Sequence, residues 1–154
     1  MLTPKPFKIP RSTLVVIHTA KQEVLLIERA DRPGYWQSVT GSQEAGESLI
    51  QTATREVMEE TGIDATHSAL TLADWQQKND YEIYPIWLHR YPPGTTHNSE
   101  HVFGLQLPDR VNVTLHAGEH LQYVWLDVEK AAALCFSTSN RDAILELPRR
   151  LAKP

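Results

Sequence analysis

The feature that most constrains the fold is a change of hydrophobic period within residues 41–63, GSQEAGESLIQTATREVMEETGI. The preceding residues form short apolar runs typical of strands, whereas here the apolar residues recur at helical spacing: Leu49, Ile50, Ala53 and Val57. Ser48 and Gln51 have the spacing of a capping box, and Gly62 stands where a helix would end. The pattern predicts a helix over residues 48–61.

Three carboxylates would leave this helix on one side. At about 100° per residue, Glu56, Glu59 and Glu60 fall within an arc of roughly 100°. Each like-charge pair costs about 0.2–0.5 kcal/mol, and Arg55 is the only nearby residue that offsets the repulsion. Two interpretations are open: a solvated acidic face, which is the commoner case, or a site for hard cations such as Mg²⁺, which prefer oxygen ligands.

The rest of the chain predicts further strands and helices. Apolar and β-branched runs indicate strands over residues 13–19, 23–29, 35–41, 70–76, 81–91, 101–108 and 122–127. Pro85 favours an edge position or a bulge, and residues 92–100 are predicted to form a loop. Helices are predicted over 129–134 and 139–152, with an interruption of the second at Pro148. Because neighbouring strands are often too close in sequence for crossovers, we expect an α/β (α+β) fold with a mixed β-sheet sandwiched between helices.

Composition limits the protein class. A chain of 154 residues suits a single domain over residues 1–154, and a net charge of -4 without a basic patch argues against nucleic acid as a partner. The apolar runs are too short for a membrane span. A lone cysteine, Cys135, favours a reducing compartment, so we expect a cytoplasmic protein in which this thiol simply packs. Nothing in the composition indicates an oligomeric state.

The acidic segment also follows a longer pattern, G-x5-E-x7-R-E-V-x-E-E-x-G-I. Its defining positions are Gly41, Glu47, Arg55, Glu56, Glu59, Glu60 and Gly62. At every one of these positions the segment resembles the Nudix box of the Nudix hydrolases. The resemblance implies a Mg²⁺-dependent hydrolase, in which Mn²⁺ could replace Mg²⁺, acting on a nucleoside diphosphate linked to another group.

The resemblance to the Nudix box implies a role for each residue. Glu56 and Glu60 are expected to be the principal metal ligands, with Glu59 as a third. Arg55 is expected to orient a catalytic carboxylate, and Glu47 to support the preceding loop through an ion pair.

Other stretches resemble one branch of the family. Trp36-Gln37-Ser38-Val39-Thr40-Gly41 stands where many members carry a Leu-Pro-Gly-Gly type sequence. Together with residues 89–103, 117–127 and 137–144, it is similar to the dihydroneopterin triphosphate diphosphatase branch. That resemblance implies a small-molecule triphosphate substrate, cleaved to dihydroneopterin monophosphate and pyrophosphate in folate biosynthesis. It also implies that Glu119 completes the metal site and serves as a general base, although a loop-surface acid is an equally good interpretation of Glu119 alone.

The same branch implies substrate contacts. Its substrate-binding positions correspond here to Lys8, Arg29, Thr40, Tyr81, Glu82, Ile83, Tyr84 and Ser137. The first two are cations for phosphate, and the aromatic and acidic residues of 81–84 would suit a pterin ring and its amino-pyrimidinone edge. Alternating aromatics in a strand are more often core packing. Ser139 could be an ordinary helix cap.

Two alternatives to the pterin triphosphate hydrolase remain at this stage. Tyr81 resembles the tyrosine of dinucleoside polyphosphate hydrolases, so a nucleotide-pool (dNTP) or dinucleoside polyphosphate hydrolase is the second hypothesis. A noncatalytic Nudix nucleotide-binding module is the third, and the intact glutamates of the box argue against it. His116 and His120 have the i, i+4 spacing of a zinc pair, but no helical pattern surrounds them and we set that interpretation aside.

Overall fold

A computed structural model describes residues 6–152. The strands are β1 (Arg11–Thr19), β2 (Glu23–Arg29), β3 (Trp36–Gln37), β4 (Val39–Ser42), β5 (Thr71–Glu82), β6 (His97–Leu107) and β7 (His120–Asp127). The helices are α1 (Leu49–Thr61), α2 (Val128–Leu134), α3 (Thr138–Leu145), α4 (Leu147–Leu151) and a 3-10 helix (Pro85–Arg90). None of the helices within these residues is both long enough and apolar enough to cross a membrane.

All seven strands belong to one mixed sheet. Five of them follow the order β3-β2-β1-β6-β5, while β4 pairs with β1 and β7 pairs with β2. β1 runs parallel to β6, and the other pairs are antiparallel. One edge of β1 pairs with β6, and the opposite edge is shared by two strands. On that opposite edge, residues Ser12 to Val15 pair with β4, whereas His18, near the other end of β1, pairs with Val24 of β2. β2 and β4 therefore diverge along one edge of β1, and this divergence opens the sheet where the site lies.

The sheet is covered on both faces, as predicted. Because successive side chains of a strand point to opposite faces, Val15 and Ile17 pack on the side of α1, whereas Leu14 and Val16 pack on the side of α2 and α3. Burial on both faces explains why the sequence of β1 is a continuous apolar run and not an alternating one. The predicted mixed sheet between helices is confirmed.

α1 matches its prediction closely. The Ser48 hydroxyl accepts a hydrogen bond from the Gln51 backbone N–H at 3.2 Å, and the Gln51 side chain accepts one from the Ser48 N–H at 2.8 Å. Gly62 ends the helix in the left-handed conformation, with φ 75°. Of the apolar residues at helical spacing, Ala53 and Val57 are buried, whereas Ile50 is exposed.

The predicted strand over residues 81–91 is wrong. Residues 71 to 82 form one long strand, which continues past a bulge where Gln76 has φ 53°, and Pro85 then starts the 3-10 helix. Proline lacks an N–H and its φ is fixed, so it cannot continue the ladder but is well suited to the first turn of a helix. The predicted loop over 92–100 is also too long, since β6 begins at His97.

Two smaller corrections concern the elements on the other side of the sheet. The predicted strand over 35–41 divides at Ser38, whose N–H donates to Asn140 Oδ1 at 2.8 Å. The predicted helix over 139–152 begins one residue earlier, at Thr138, and its predicted interruption near Pro148 is confirmed, since the helix breaks at Glu146. Its cap is Ser137 and not Ser139. Cys135 is half-buried, and burial raises the pKa of its thiol to about 12.

Candidate active site

A cleft of about 1450 Å³ opens at the divergence of β2 and β4. Its wall includes the N-terminal end of β1, the Nudix-type helix α1, the 3-10 helix and the segment that leads into α3. Every site residue predicted from the sequence lines it: Lys8, Arg29, Thr40, Arg55, Glu56, Glu59, Glu60, Tyr81, Glu82, Ile83, Tyr84, Glu119 and Ser137. Residues up to about 130 positions apart in sequence therefore share one cavity.

Arg55 fixes one side of this cleft. Its guanidinium contacts both oxygens of Glu47, at 2.6 and 3.0 Å, and Oε1 of Glu56 at 2.6 Å. It also donates to the Ser42 carbonyl at 3.0 Å. These bonds raise the pKa of Arg55 and hold the pKa of Glu47 down to about 2. The loop before α1 and the Glu56 carboxylate are thus both bound to the Arg55 guanidinium, which is the geometry that the resemblance implied.

Gly41 allows the Glu56 carboxylate to lie directly against β4. A Cβ at position 41 would come closer than 3.0 Å to the carboxyl carbon and to both carboxylate oxygens of Glu56. Every residue larger than glycine would therefore displace the carboxylate. Glycine is needed here because a side chain would not fit and not because of the backbone conformation, since Gly41 is not among the glycines with positive φ.

The carboxylates of α1 differ in their surroundings. The Glu56 side chain is 13% exposed and the Glu60 side chain 5%, whereas Glu59 is exposed. Burial raises the pKa of Glu56 to about 7, although Arg55 favours its charged form. Burial also raises the pKa of Glu60 well above its usual range, and the charges of Glu56 and Glu119 act in the same direction. Two acids that resist ionisation at neutral pH are therefore held side by side.

Glu60, Glu119 and His120 form a second group, in which one ligand atom from each residue lies within 4.8 Å of the others. His120 Nε2 is 3.5 Å from Glu60 Oε1. Glu60 Oε2 and His120 Nδ1 are buried and have no hydrogen-bond partner in the described part of the chain. Burial lowers the pKa of His120, which favours the neutral, ligating imidazole. These unpaired buried atoms and the repelling carboxylates fit a divalent cation.

Sequence reasoning missed His120 as part of this group. The interpretation set aside paired it with His116, but His116 Nδ1 is instead 3.2 Å from Glu119 Oε2. His120, the first residue of β7, lies against Glu60 of α1, and nothing in local periodicity signals that approach. Glu119 itself is exposed at the start of β7.

Cations and polar groups surround the carboxylates. Arg29 is held by Asp31, at 2.7 and 2.8 Å, and by Gln37 at 3.1 Å, and its guanidinium lies 4.3 Å from the ring centre of Trp87. Lys8 is half-buried, and burial together with Arg90 lowers its pKa. These groups bring fixed positive charge to the rim of the acidic cluster.

The Thr40 hydroxyl has a different environment from the one anticipated. It donates to the Thr13 carbonyl at 3.0 Å, so its proton is not free for a ligand. The backbone of Thr40 instead favours the charged form of Glu60.

An aromatic cluster adjoins Arg29 in the wall of the cleft. Phe136 stacks on Tyr35, with ring centres 4.8 Å apart, and meets Trp87 and Tyr84 edge-on at 5.8 Å each. Trp87 donates to Asp31 at 3.0 Å, so it belongs to the wall of the site and not only to core packing. Sequence reasoning missed Phe136, because a single aromatic in a loop carries no pattern.

A helix that carries glutamates against a mixed sheet, beside cationic side chains, is suited to a phosphorylated ligand and a divalent cation. The chain matches the Nudix domain over residues 8–147, and it belongs to the Nudix family. Members of that family generally use a divalent metal.

Two curated relatives and one solved structure are named for hydrolysis of dihydroneopterin triphosphate. The chain is 48% identical over 141 residues to the dihydroneopterin triphosphate diphosphatase of Escherichia coli K12, covering 91% of this chain and 93% of the relative. It is 36% identical over 139 residues to the enzyme of that name from Haemophilus influenzae, covering 90% and 87%. The structure of the E. coli dihydroneopterin triphosphate pyrophosphohydrolase superposes with a TM-score of 0.85, covering 91% of this chain and 95% of that one.

Proposed function

We propose that this protein is a cytoplasmic Mg²⁺-dependent pyrophosphohydrolase that cleaves dihydroneopterin triphosphate to dihydroneopterin monophosphate and pyrophosphate, a step of folate synthesis. The observation that carries the proposal is one cleft whose wall combines a carboxylate cluster with cationic, aromatic and polar side chains. The identity to the E. coli enzyme of that name, 48% over most of both chains, supports the same substrate.

The metal would be held by Glu56, Glu60 and Glu119, with Glu59 at the exposed side and His120 as a further buried donor. When bound there, Mg²⁺ would neutralise phosphate charge and lower the pKa of a bound water. The two raised carboxyl pKa values support this arrangement, because a cation would offset the repulsion between the ionised groups.

The protein's own residues bind and orient the substrate. Lys8 and Arg29 would contact the phosphate oxygens from the rim, where both line the cleft. Arg55 holds Glu56 in place through its bond to Oε1 and so acts as a positioning residue. Fixing the triphosphate and the attacking water in line removes much of the entropic cost of the reaction.

Glu119 would accept the proton of the attacking water. The water oxygen forms a bond to one phosphorus, the bond from that phosphorus to the bridging oxygen breaks, and pyrophosphate leaves with the bridging-bond electrons. Glu119 is suited to this role because it is exposed at the cleft and lies beside the buried Glu60. His116, 3.2 Å away, would hold the carboxylate toward the site.

Product analysis tests the reaction. Wild-type protein with Mg²⁺ should release pyrophosphate and dihydroneopterin monophosphate in equal amounts, and Glu60→Gln should reduce kcat by about 100-fold or more. Glu129→Gln changes an exposed acid on α2, outside the cleft, and should leave the rate unchanged. Release of orthophosphate in place of pyrophosphate, or a Glu60→Gln rate within a few-fold of wild type, would refute the proposal.

A further inference from the structure

We propose that Asp31 is a positioning residue of the phosphate site: its carboxylate holds Arg29 of β2 and Arg90 of the 3-10 helix together, so that both cations contact the phosphate chain of the substrate. This inference rests on the proposed function, because it concerns how the same cleft binds a polyphosphate. Arg90 becomes a further phosphate contact, and Asp31 acts through the two arginines without contacting the ligand itself.

The Asp31 carboxylate accepts hydrogen bonds from two separate parts of the fold. Its Oδ1 accepts from Arg29 Nε at 2.7 Å, and its Oδ2 accepts from Arg29 Nη2 at 2.8 Å, which makes a bidentate pair. The same Oδ2 accepts from Trp87 Nε1 at 3.0 Å and from Arg90 Nη2 at 3.2 Å, both on the 3-10 helix. Isolated surface ion pairs contribute little, but a bidentate network of several donors is the exception. Asp31 therefore joins the end of β2 to the 3-10 helix in the wall of the cleft.

The backbone that carries Asp31 is itself held in place. The N–H of Arg29 donates to the Tyr35 carbonyl at 2.9 Å, which ties together the two ends of the turn after β2. The N–H of Ala30 donates to the Glu119 carbonyl at 2.9 Å, so the same turn is bonded to the loop that carries a proposed metal ligand. Asp31 thus has a defined position beside the acidic end of the cleft.

Contacts at the surface of the protein hold the 3-10 helix, because none of its 6 residues is buried. Besides its bond to Asp31, the Trp87 ring lies 4.3 Å from the Arg29 guanidinium, a distance at which the face of an indole attracts a cation. The Arg90 carbonyl accepts from the Lys8 N–H at 2.8 Å, so the end of this helix is bonded to the segment that carries another cation of the cleft. Loss of the Asp31 carboxylate would therefore free Arg90 as well as Arg29.

Three cations converge beside the carboxylates of α1. Lys8, Arg29 and Arg90 all line the cleft, and the charges of Arg90 and Arg29 add to burial in lowering the pKa of Lys8. Cations held close together repel one another, and a polyphosphate would relieve that repulsion. Asp31 compensates for only one of the two arginines, so the group as a whole stays positive and suits an anionic ligand.

The charge of Asp31 gives opposite expectations for a bystander and for a positioning residue. The hydrogen bonds from Arg29 hold the pKa of Asp31 well below its usual range, so the carboxylate is ionised at neutral pH. A negative charge near a phosphate repels it, so changing a bystander carboxylate to an amide should strengthen phosphate binding. Changing a positioning carboxylate should weaken binding, because an amide has a single acceptor oxygen and cannot hold the donors of both arginines.

Inhibition by pyrophosphate tests the phosphate site independently of the substrate's ring. The inhibition constant Ki would be measured with Mg²⁺ against whichever triphosphate the protein hydrolyses fastest, and melting temperatures would show that each variant is folded. Asp31→Asn should raise Ki by about 10-fold or more, and Arg90→Gln should raise it by about fivefold or more. Asp142→Asn removes a matched acid, which pairs with Arg141 at 3.1 Å outside the cleft, and should leave Ki unchanged.

Removing both arginines should reverse the effect of Asp31. In the Arg29→Gln/Arg90→Gln protein the carboxylate has no guanidinium to position and only repels phosphate, so adding Asp31→Asn should lower Ki by about twofold or more. A merely structural role of Asp31 would raise Ki in both backgrounds, and that result would overturn the inference. An unchanged or lower Ki for Asp31→Asn alone would also overturn it, as would an unchanged Ki for Arg90→Gln, a variant that does not require Asp31→Asn to fold.

The outcomes separate this inference from the proposed function. If a nucleotide is hydrolysed faster than the pterin triphosphate but Asp31→Asn shifts Ki in opposite directions in the two backgrounds, the role of Asp31 stands and the proposed substrate falls. If the pterin triphosphate is the best substrate but Asp31→Asn binds pyrophosphate as tightly as wild type, the proposed substrate stands and the role of Asp31 falls.

Discussion

Replacing Gly41 with alanine should disable catalysis by displacing one carboxylate. The new Cβ would come closer than 3.0 Å to the Glu56 carboxyl carbon and both of its oxygens, so the carboxylate must move by about 1 Å or more. Gly41 does not have a positive φ, so alanine fits its backbone conformation and the effect is one of space.

The size of the effect follows from that displacement. A misplacement of about 1 Å in a catalytic constellation costs roughly 100-fold in rate. Moving the Glu56 carboxylate also strains its 2.6 Å bond to Arg55, whose guanidinium also contacts Glu47. We therefore expect kcat on the triphosphate to fall by about 100-fold.

A second glycine provides the matched control. A Cβ at Gly104 would lie 2.5 Å from the Trp75 ring, a comparable overlap on β6 outside the cleft. Gly104→Ala should lower the melting temperature but keep kcat, whereas Gly41→Ala should lose kcat at temperatures where circular dichroism shows it folded. A folded Gly41→Ala protein with kcat within threefold of wild type would refute the role assigned to this close contact.

Three further predictions concern stability and the metal. Without metal, the melting temperature should fall as pH rises from about 5 to 8. Burial raises the pKa of Glu56 from 4.5 to about 7, so in this range the folded state keeps a proton that the unfolded state has lost. The free energy of unfolding should therefore be lower by about 3 kcal/mol above pH 7 than at acidic pH. Glu56→Gln should make that profile less steep, since the raised pKa of Glu60 still contributes in the same direction, and saturating Mg²⁺ should reverse it in wild type. A flat wild-type profile would contradict the burial argument. His120→Ala should weaken Mg²⁺ binding by about 10-fold in isothermal titration, and unchanged affinity would exclude it from the metal site. Ser48→Ala should cost about 1 kcal/mol of unfolding free energy in a urea titration and leave kcat intact, since it removes only the cap of α1, and a loss under 0.3 kcal/mol would contradict the capping role.

The part of the site on α1 could be predicted because its signals are local. The helical period, the Ser48 cap and the Gly62 stop all lie within one segment, and the glutamates share one helix side by geometry alone. The Nudix fold and the family assignment follow from that same segment. The single-domain organisation over residues 1–154 and the individual substrate contacts stay predictions.

The part formed by distant strands could not be predicted. Glu100 meets Asn79 through the pairing of β5 with β6, whereas it meets Ser139 on α3, and His120 meets Glu60 on α1, through packing of helices on the sheet. None of these contacts leaves a periodic trace in the sequence. The aromatic run after Tyr81 resembled a strand, but Pro85 removes a ladder N–H and turns the chain into the 3-10 helix that carries Trp87 to the cleft. Local patterns thus identified the carboxylates of α1, the family resemblance supplied the other predicted site residues, and tertiary packing determined the contacts that they make.

Relative rates on competing substrates test the proposed activity most directly. The protein with Mg²⁺ would receive an equimolar mixture of dihydroneopterin triphosphate, the dNTPs and diadenosine tetraphosphate, and the depletion of each compound would give its relative kcat/KM. The pterin triphosphate should be consumed faster than every nucleotide, by about 10-fold or more, because it alone combines a triphosphate with the ring and side chain for which the cleft is proposed. Faster consumption of a nucleotide or of the dinucleoside tetraphosphate would leave a Nudix hydrolase with a different substrate.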